Sequence, residues 1–136
     1  MNLHRKLLER EAAGRPIGIG LIGAGKFGSM FLAQVRRTRG MHLVGIADLA
    51  PARAAENLAR IGWPKEAYAA PSLDAAAKSG ATHLTDDALS LIRHPAIEVV
   101  IDATGSPPAG ITHALAACAE KKHIVMVNVE ADVLAG

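Results

Sequence analysis

The amino-acid sequence predicts an α/β fold, an open, doubly wound parallel sheet with helices on both faces. Three observations carry this. Short runs rich in Ile and Val alternate with Ala-rich amphipathic stretches along the whole chain, the pattern of successive βαβ units. The runs are apolar at neighbouring positions, as strands buried on both faces require. A glycine-rich turn, Gly23-Ala24-Gly25-Lys26-Phe27-Gly28, joins the first run to the helical stretch that follows.

Composition agrees. A chain of 136 residues makes one domain. It is 50% hydrophobic but only 3% aromatic, so the core must be aliphatic. The net charge of +2, with 15 basic and 13 acidic side chains, offers no basic stripe for a nucleic acid. A single cysteine makes neither an internal disulfide nor a zinc ribbon. No apolar run approaches the ~20 residues that span a bilayer. The first residues lack the apolar stretch of a secretory signal, and Glu9 and Glu11 are unlike a transit peptide. The expectation is a soluble cytoplasmic domain, with neither nucleic acid nor membrane as partner.

The elements follow in order. Residues 1–15 form an N-terminal amphipathic segment, helical over 2–13, with Leu3, Leu7, Leu8 and Ala12 on one face. Residues 16–136 form the domain proper. Its first strand is 17–22, bounded by Pro16 and Gly23, and its first helix is 26–37, ended before Gly40. A second strand, 42–47, ends at Asp48. Pro51 opens a helix over 51–61, where a first-turn proline costs nothing. Residues 63–71 are irregular. Ser72 caps a helix over 73–79, closed by Gly80. A short strand at 82–85 leads to a helix ending near Arg93, before His94-Pro95. Residues 97–103 are a strand, 104–108 a loop, 110–120 a helix and 123–128 the last strand. Doubly wound topology then orders the strands 3-2-1-4-5.

The glycine turn fits G-x-G-x-x-G, and its place between strand and helix gives the match its weight. Gly23 allows the turn, Gly25 leaves room for a pyrophosphate, and Gly28 lets the helix lie close to the sheet. Ala24, Lys26 and Phe27 complete the loop. The helix N-terminus offers free N–H groups to phosphates. Asp48 ends the second strand about 20 residues after Gly28, where an acid binds a ribose diol. An acid there favours NAD. Arg53, near the start of the next helix, is suited to the 2′-phosphate of NADP, so the residues leave NAD or NADP open. After the fourth strand, Ala103, Thr104 and Gly105 form a small-residue loop at the sheet's switch point, suited to the nicotinamide ribose. Asn128 and Glu130, at the end of the fifth strand, are candidate polar groups beside the nicotinamide or the substrate. Asp102 is read as a structural hydrogen-bonding carboxylate. The six histidines have no metal-site spacing and are read as ordinary, and Cys118 as a core residue. No metal is expected.

Together, IGLIGAGKFGSMFLAQ, HLVGIADLAPARA, IEVVIDATGSP and KHIVMVNVEADVLAG resemble the N-terminal Rossmann-type NAD(P)-binding domain of homoserine-dehydrogenase-like oxidoreductases. More narrowly they resemble the subgroup with a C-terminal SAF domain, which includes reductoisomerase-like enzymes of isoprenoid biosynthesis that convert deoxyxylulose phosphate. The resemblance covers Ile17 to Gly136. It implies Gly23, Gly25, Lys26 and Phe27 at the pyrophosphate, Asp48 and Arg53 at the adenosine ribose, and Thr104 and Gly105 near the nicotinamide. It also implies hydride transfer to or from a small carbonyl or hydroxyl substrate, bound through a further domain of a full-length homo-oligomer. On that view the chain alone binds cofactor without turnover, and the catalytic residues lie elsewhere.

Two departures bear on substrate. Homoserine dehydrogenases carry Asn-Lys after the fifth strand, where this chain has Asn128-Val129. Glucose–fructose-oxidoreductase-type sugar dehydrogenases, a further alternative, carry Glu-Lys-Pro there. A non-catalytic dinucleotide- or CoA-binding sensor, signalling through a partner, is the alternative from another class.

Overall fold

The computed structural model describes residues 1–136. Five parallel strands form one sheet: β1 (Ile17–Ile22), β2 (Met41–Ala47), β3 (His83–Thr85), β4 (Val99–Asp102) and β5 (His123–Met126). Their order is β3-β2-β1-β4-β5, as the sequence predicts. Seven helices accompany them: α1 (Leu3–Ala12), α2 (Lys26–Val35), α3 (Pro51–Arg60), α4 (Leu73–Ser79), α5 (Ala88–Arg93), α6 (Pro107–Ala119) and α7 (Val129–Ala135). A 3₁₀ turn, Lys65–Tyr68, lies in the stretch read as irregular. The predicted strands 97–103 and 123–128 are trimmed to four residues each, and the helix predicted over 110–120 starts earlier, at Pro107. Pro107 occupies its first turn, where the missing N–H is not needed.

Two aliphatic cores lie on the two faces of the sheet. One joins Ile19, Leu21, Leu43 and Ile46 to Leu32 and Val35 of α2, Leu58 of α3, and Trp63. The other joins Ile22, Val44 and Val100 to Ala76 of α4, Leu91 and Ile92 of α5, and Ala117 of α6. Strict alternation would place Leu43 and Ile46 on opposite faces. The β1–β2 register slips between Ile19 and Gly20. That slip turns Gly45 toward the second core, where a Cβ would meet Leu73 and Leu91. Ile46 thereby returns to the first core, so the irregularity keeps both faces of β2 apolar.

The N-terminal segment is helical as expected, with Asn2 accepting the Arg5 N–H at 3.0 Å as N-cap. Its apolar face is only partly used: Leu7 and Leu8 are half-buried, while Leu3 and Ala12 are exposed. Ion pairs tie it to the domain, Arg10 to Glu98 at 2.7 Å and Glu11 to Arg39 at 2.6 Å.

The last helix departs from the sequence reading, which carries the fifth strand to residue 128 and nothing beyond. Asn128 instead accepts the Ala131 N–H at 3.2 Å and starts α7. Gly110 makes room for α7 against α6: a Cβ there would lie 2.6 Å from Asn128 Nδ2 and 2.8 Å from Ala131 Cβ. Cys118 also departs: it is exposed on α6, while its neighbour Ala117 fills the core position.

Candidate functional site

The carboxyl ends of β1, β2 and β4 open onto one cleft of about 380 Å³. The β1–α2 turn forms its floor. Gly23 has φ +91°, and a Cβ on it would lie 2.8 Å from the Ala103 carbonyl oxygen. A Cβ on Gly28 would lie 2.7 Å from the Gly23 carbonyl oxygen. Both glycines are therefore demanded by the fold. Gly25 is different: its φ is −72°, and a Cβ on it would meet no protein atom within 4 Å. Nothing in the protein needs a glycine there, and the space above it is open.

The start of α2 faces that space. No side chain caps the helix. Its first backbone hydrogen bond runs from the Ser29 N–H to the Gly25 carbonyl at 2.9 Å. The N–H groups of Lys26, Phe27 and Gly28 are left without protein partners, at the positive end of the helix dipole. Lys26 and Phe27 are exposed, with side chains outside the cleft wall.

Asp48 spans the turn from the end of β2. One carboxylate oxygen accepts the Ala24 N–H at 2.9 Å and the other accepts the Ala50 N–H at 2.9 Å. A carboxylate has about four acceptor positions, so each oxygen keeps one for a ligand. Arg53, in the first turn of α3, lines the cleft, is exposed and makes no ion pair. Asn57, one turn on, donates to the Ala24 carbonyl at 3.2 Å and lines the same wall. Leu49 and Ala50 add apolar wall beside them.

The β4–α6 side holds a carboxylate–histidine pair that sequence reasoning missed. Asp102 is fully buried. Its Oδ1 accepts the Thr104 N–H at 3.1 Å and the Thr104 hydroxyl at 2.9 Å. Its Oδ2 accepts His113 Nδ1–H at 2.6 Å. Burial pushes the Asp102 pKa up, but the hydrogen bonds from His113 and Thr104 outweigh it and hold the carboxyl below the usual range. The structural reading of Asp102 therefore stands, but His113 is no ordinary histidine. It sits in the second turn of α6 and lines the cleft with Thr104, Ser106 and Ala109. The signal was present: a carboxylate ends a strand, and a histidine follows on the next helix.

The sequence-predicted residues thus divide. Gly23, Ala24, Gly25, Asp48, Arg53 and Thr104 line the cleft together. Gly28 lies beneath it. Ala103 and Gly105 shape the loop without lining the cleft, Gly105 with φ +68°. Asn128 is buried behind that loop, its Nδ2 donating to the Ser106 carbonyl at 2.6 Å and its Oδ1 capping α7. Its amide is committed to structure rather than turned to a ligand. Glu130 is exposed on α7, outside the cleft. Asn57 could have been found from its i,i+4 relation to Arg53.

A second cavity, of about 470 Å³, lies at the opposite end of the strands between Arg36, His42, Trp63 and Thr82. Trp63 donates to the Leu32 carbonyl at 3.0 Å, His42 bonds the Ala81 carbonyl at 2.8 Å, and Thr82 donates to the Leu43 carbonyl at 2.7 Å. These three polar side chains are spent on the fold, and the Arg36 guanidinium lies over the Trp63 ring, 5.2 Å from its centre.

Comparison with known proteins agrees with this geometry. The family model of the homoserine dehydrogenase NAD-binding domain matches residues 23–134. A search of curated sequences finds no significant match. Among solved structures, an NAD-binding oxidoreductase from Klebsiella pneumoniae aligns with a TM-score of 0.58 at 24% identity, covering 82% of this chain and 27% of its own. Myo-inositol dehydrogenase from Lactobacillus casei, solved with NAD(H) and myo-inositol, gives 0.60 at 19% identity, covering 82% and 28%. Biliverdin reductase from Synechocystis sp. PCC 6803, solved with biliverdin and NADP+, gives 0.60 at 22% identity, covering 82% and 29%. These likenesses show the fold, and the chain spans little more than a quarter of each structure's length. The family match runs from the first glycine of the turn into α7, and on that match the chain belongs to the homoserine dehydrogenase NAD-binding domain family.

Proposed function

We propose that this chain is the cofactor-binding part of an NAD(P)-dependent oxidoreductase acting on a small carbonyl or hydroxyl compound. One observation carries the cofactor site: Gly25 has no packing reason to be glycine, yet it stands open before the unpartnered N–H groups of α2. The pyrophosphate fits that cradle. Asp48, oriented by two backbone N–H groups, offers its remaining acceptor positions to the adenosine ribose. Arg53 is free to answer a 2′-phosphate, so the site accepts NAD or NADP. When bound, the nicotinamide supplies the hydride donor or acceptor. The residues of this chain bind and orient it, while the substrate half and the homo-oligomer contacts belong to a further domain of the full-length protein.

The SAF-domain, reductoisomerase-like reading rests on the NVEADVLAG resemblance alone. A sugar or polyol dehydrogenase is the second reading, supported by inositol dehydrogenases among the structures sharing this fold. Against it, Asn128-Val129-Glu130 stands where Glu-Lys-Pro would be.

Calorimetry with NADH and NADPH tests the cofactor site. The wild-type chain is expected to bind at least one of them. Gly25→Val is expected to bind neither while melting within a few degrees of the wild type, because its φ is ordinary and the space is empty. Unchanged affinity in that variant would remove the pyrophosphate from the turn.

A further inference from the structure

The Asp102–His113 pair stands at the wall of the cofactor cleft. A buried carboxylate needs hydrogen-bond donors; Thr104 supplies two, both to Oδ1, and His113 supplies the one to Oδ2. Nδ1 makes the only hydrogen bond of the ring. No partially buried side-chain nitrogen in the protein is both enclosed and unpartnered, so Nε2 is open to solvent. The ring lines the cofactor cleft. Its side chain is 12% exposed. We propose that His113 is a dinucleotide-contacting residue: its ring, held through Nδ1 by the Asp102 carboxylate, hydrogen-bonds the bound dinucleotide through Nε2 on the β4 side of the cleft. Asp102 is then a positioning residue.

Asp102 is buried, and the ring of His113 and Thr104 are the side chains bonded to it. The dinucleotide brings two negative charges into the same cleft. Across it stand Asp48 at the end of β2, Asp86 before α5, and the unpaired Arg53 of α3. The other charged groups on elements packed against α6 make no hydrogen bond to the ring. Arg93 of α5 pairs with Glu120 at the far end of α6, and Glu130 and Asp132 of α7 and His123 of β5 are exposed. A ring fixed by a carboxylate presents an oriented second nitrogen to the cleft, in addition to the N–H groups of α2.

The inference rests on the cofactor reading above, and the test separates the two. NADH and NADPH affinities are measured for the wild type, His113→Gln and Asp102→Asn. His113→Gln is expected to bind about tenfold more weakly than the wild type, the loss of one hydrogen bond. Asp102→Asn, which keeps the ring but loosens its hold, is expected to fall between them. NMR of nitrogen-labelled histidine is expected to show the His113 Nε2 signal moving on cofactor addition, a response a purely structural ring would not give. Equal affinity of the wild type and His113→Gln, or an unmoved Nε2 signal, overturns the inference alone. Absence of binding by folded wild type overturns the cofactor reading and this inference with it.

Discussion

Single residues in the turn separate what folding needs from what binding needs. A methyl group on Gly28 has a carbonyl oxygen at 2.7 Å to displace, so Gly28→Ala should destabilise the domain by about 1–3 kcal/mol. Urea unfolding checks this. The outcome should contrast with Gly25→Val, which leaves stability in place and removes affinity. Asp102 gives a prediction with a sign. Its folded pKa is lowered, because hydrogen bonds from His113 and Thr104 overcome the effect of burial. Its contribution to stability is therefore complete above the unfolded value of about 3.9 and is lost as pH falls through the folded value. Asp102→Asn should cost about 1–3 kcal/mol at pH 7, and the gap should close below about pH 4. Denaturation of both proteins at pH 7, 5 and 3 measures it, and a gap that widened toward acid would contradict the assignment.

Elements show which parts of the fold were readable. The strands announce themselves because burial on both faces forces consecutive apolar residues, and IGIGLI, HLVGIA and EVVID can hardly do anything else. Helix ends marked by Pro51, Ser72 and Gly80 are legible because each residue solves a terminal hydrogen-bonding or backbone problem. The helix α7 was not legible. Its seven residues show little helical periodicity, and the apolar run before it looks like a longer strand. Its start depends on Asn128, whose capping oxygen and whose donated bond to Ser106 are long-range facts. The same residue looked like a ligand contact because polar residues at strand ends usually face the cleft. Asn128→Ala should remove the cap and one of the two donors to the Ser106 carbonyl, which keeps the Gly110 N–H, costing about 1–2 kcal/mol. Hydrogen exchange should show α7 and the 103–106 loop opening together, with the strands still protected. Equal protection in the variant would mean that α7 is held by packing against α6 alone.

At the scale of the whole molecule, the cleft draws its walls from separate segments. The β1–α2 turn, the Asp48–Asn57 stretch, the Asp86–Ala88 segment and the Thr104–His113 stretch all meet there. None of these stays in place without the sheet, so a ligand that bridges them binds the folded state and not the unfolded chain. Folding and binding are then linked: a cofactor at about 100 times its dissociation constant adds about 2.7 kcal/mol to the stability. For a chain of this size that is a rise in melting temperature of about 10 °C. A thermal melt with NADH and with NADPH measures it, and the larger rise identifies the preferred cofactor. The two acids and one arginine on the cleft wall pull in opposite directions. If Asp48 decides, the rise with NADH exceeds that with NADPH, and Asp48→Ala reverses the order. If Arg53 decides, NADPH gives the larger rise, and Arg53→Ala brings the two together. Equal rises in all three proteins would mean that neither side chain reaches the ribose, and that the adenosine lies outside the wall these residues form.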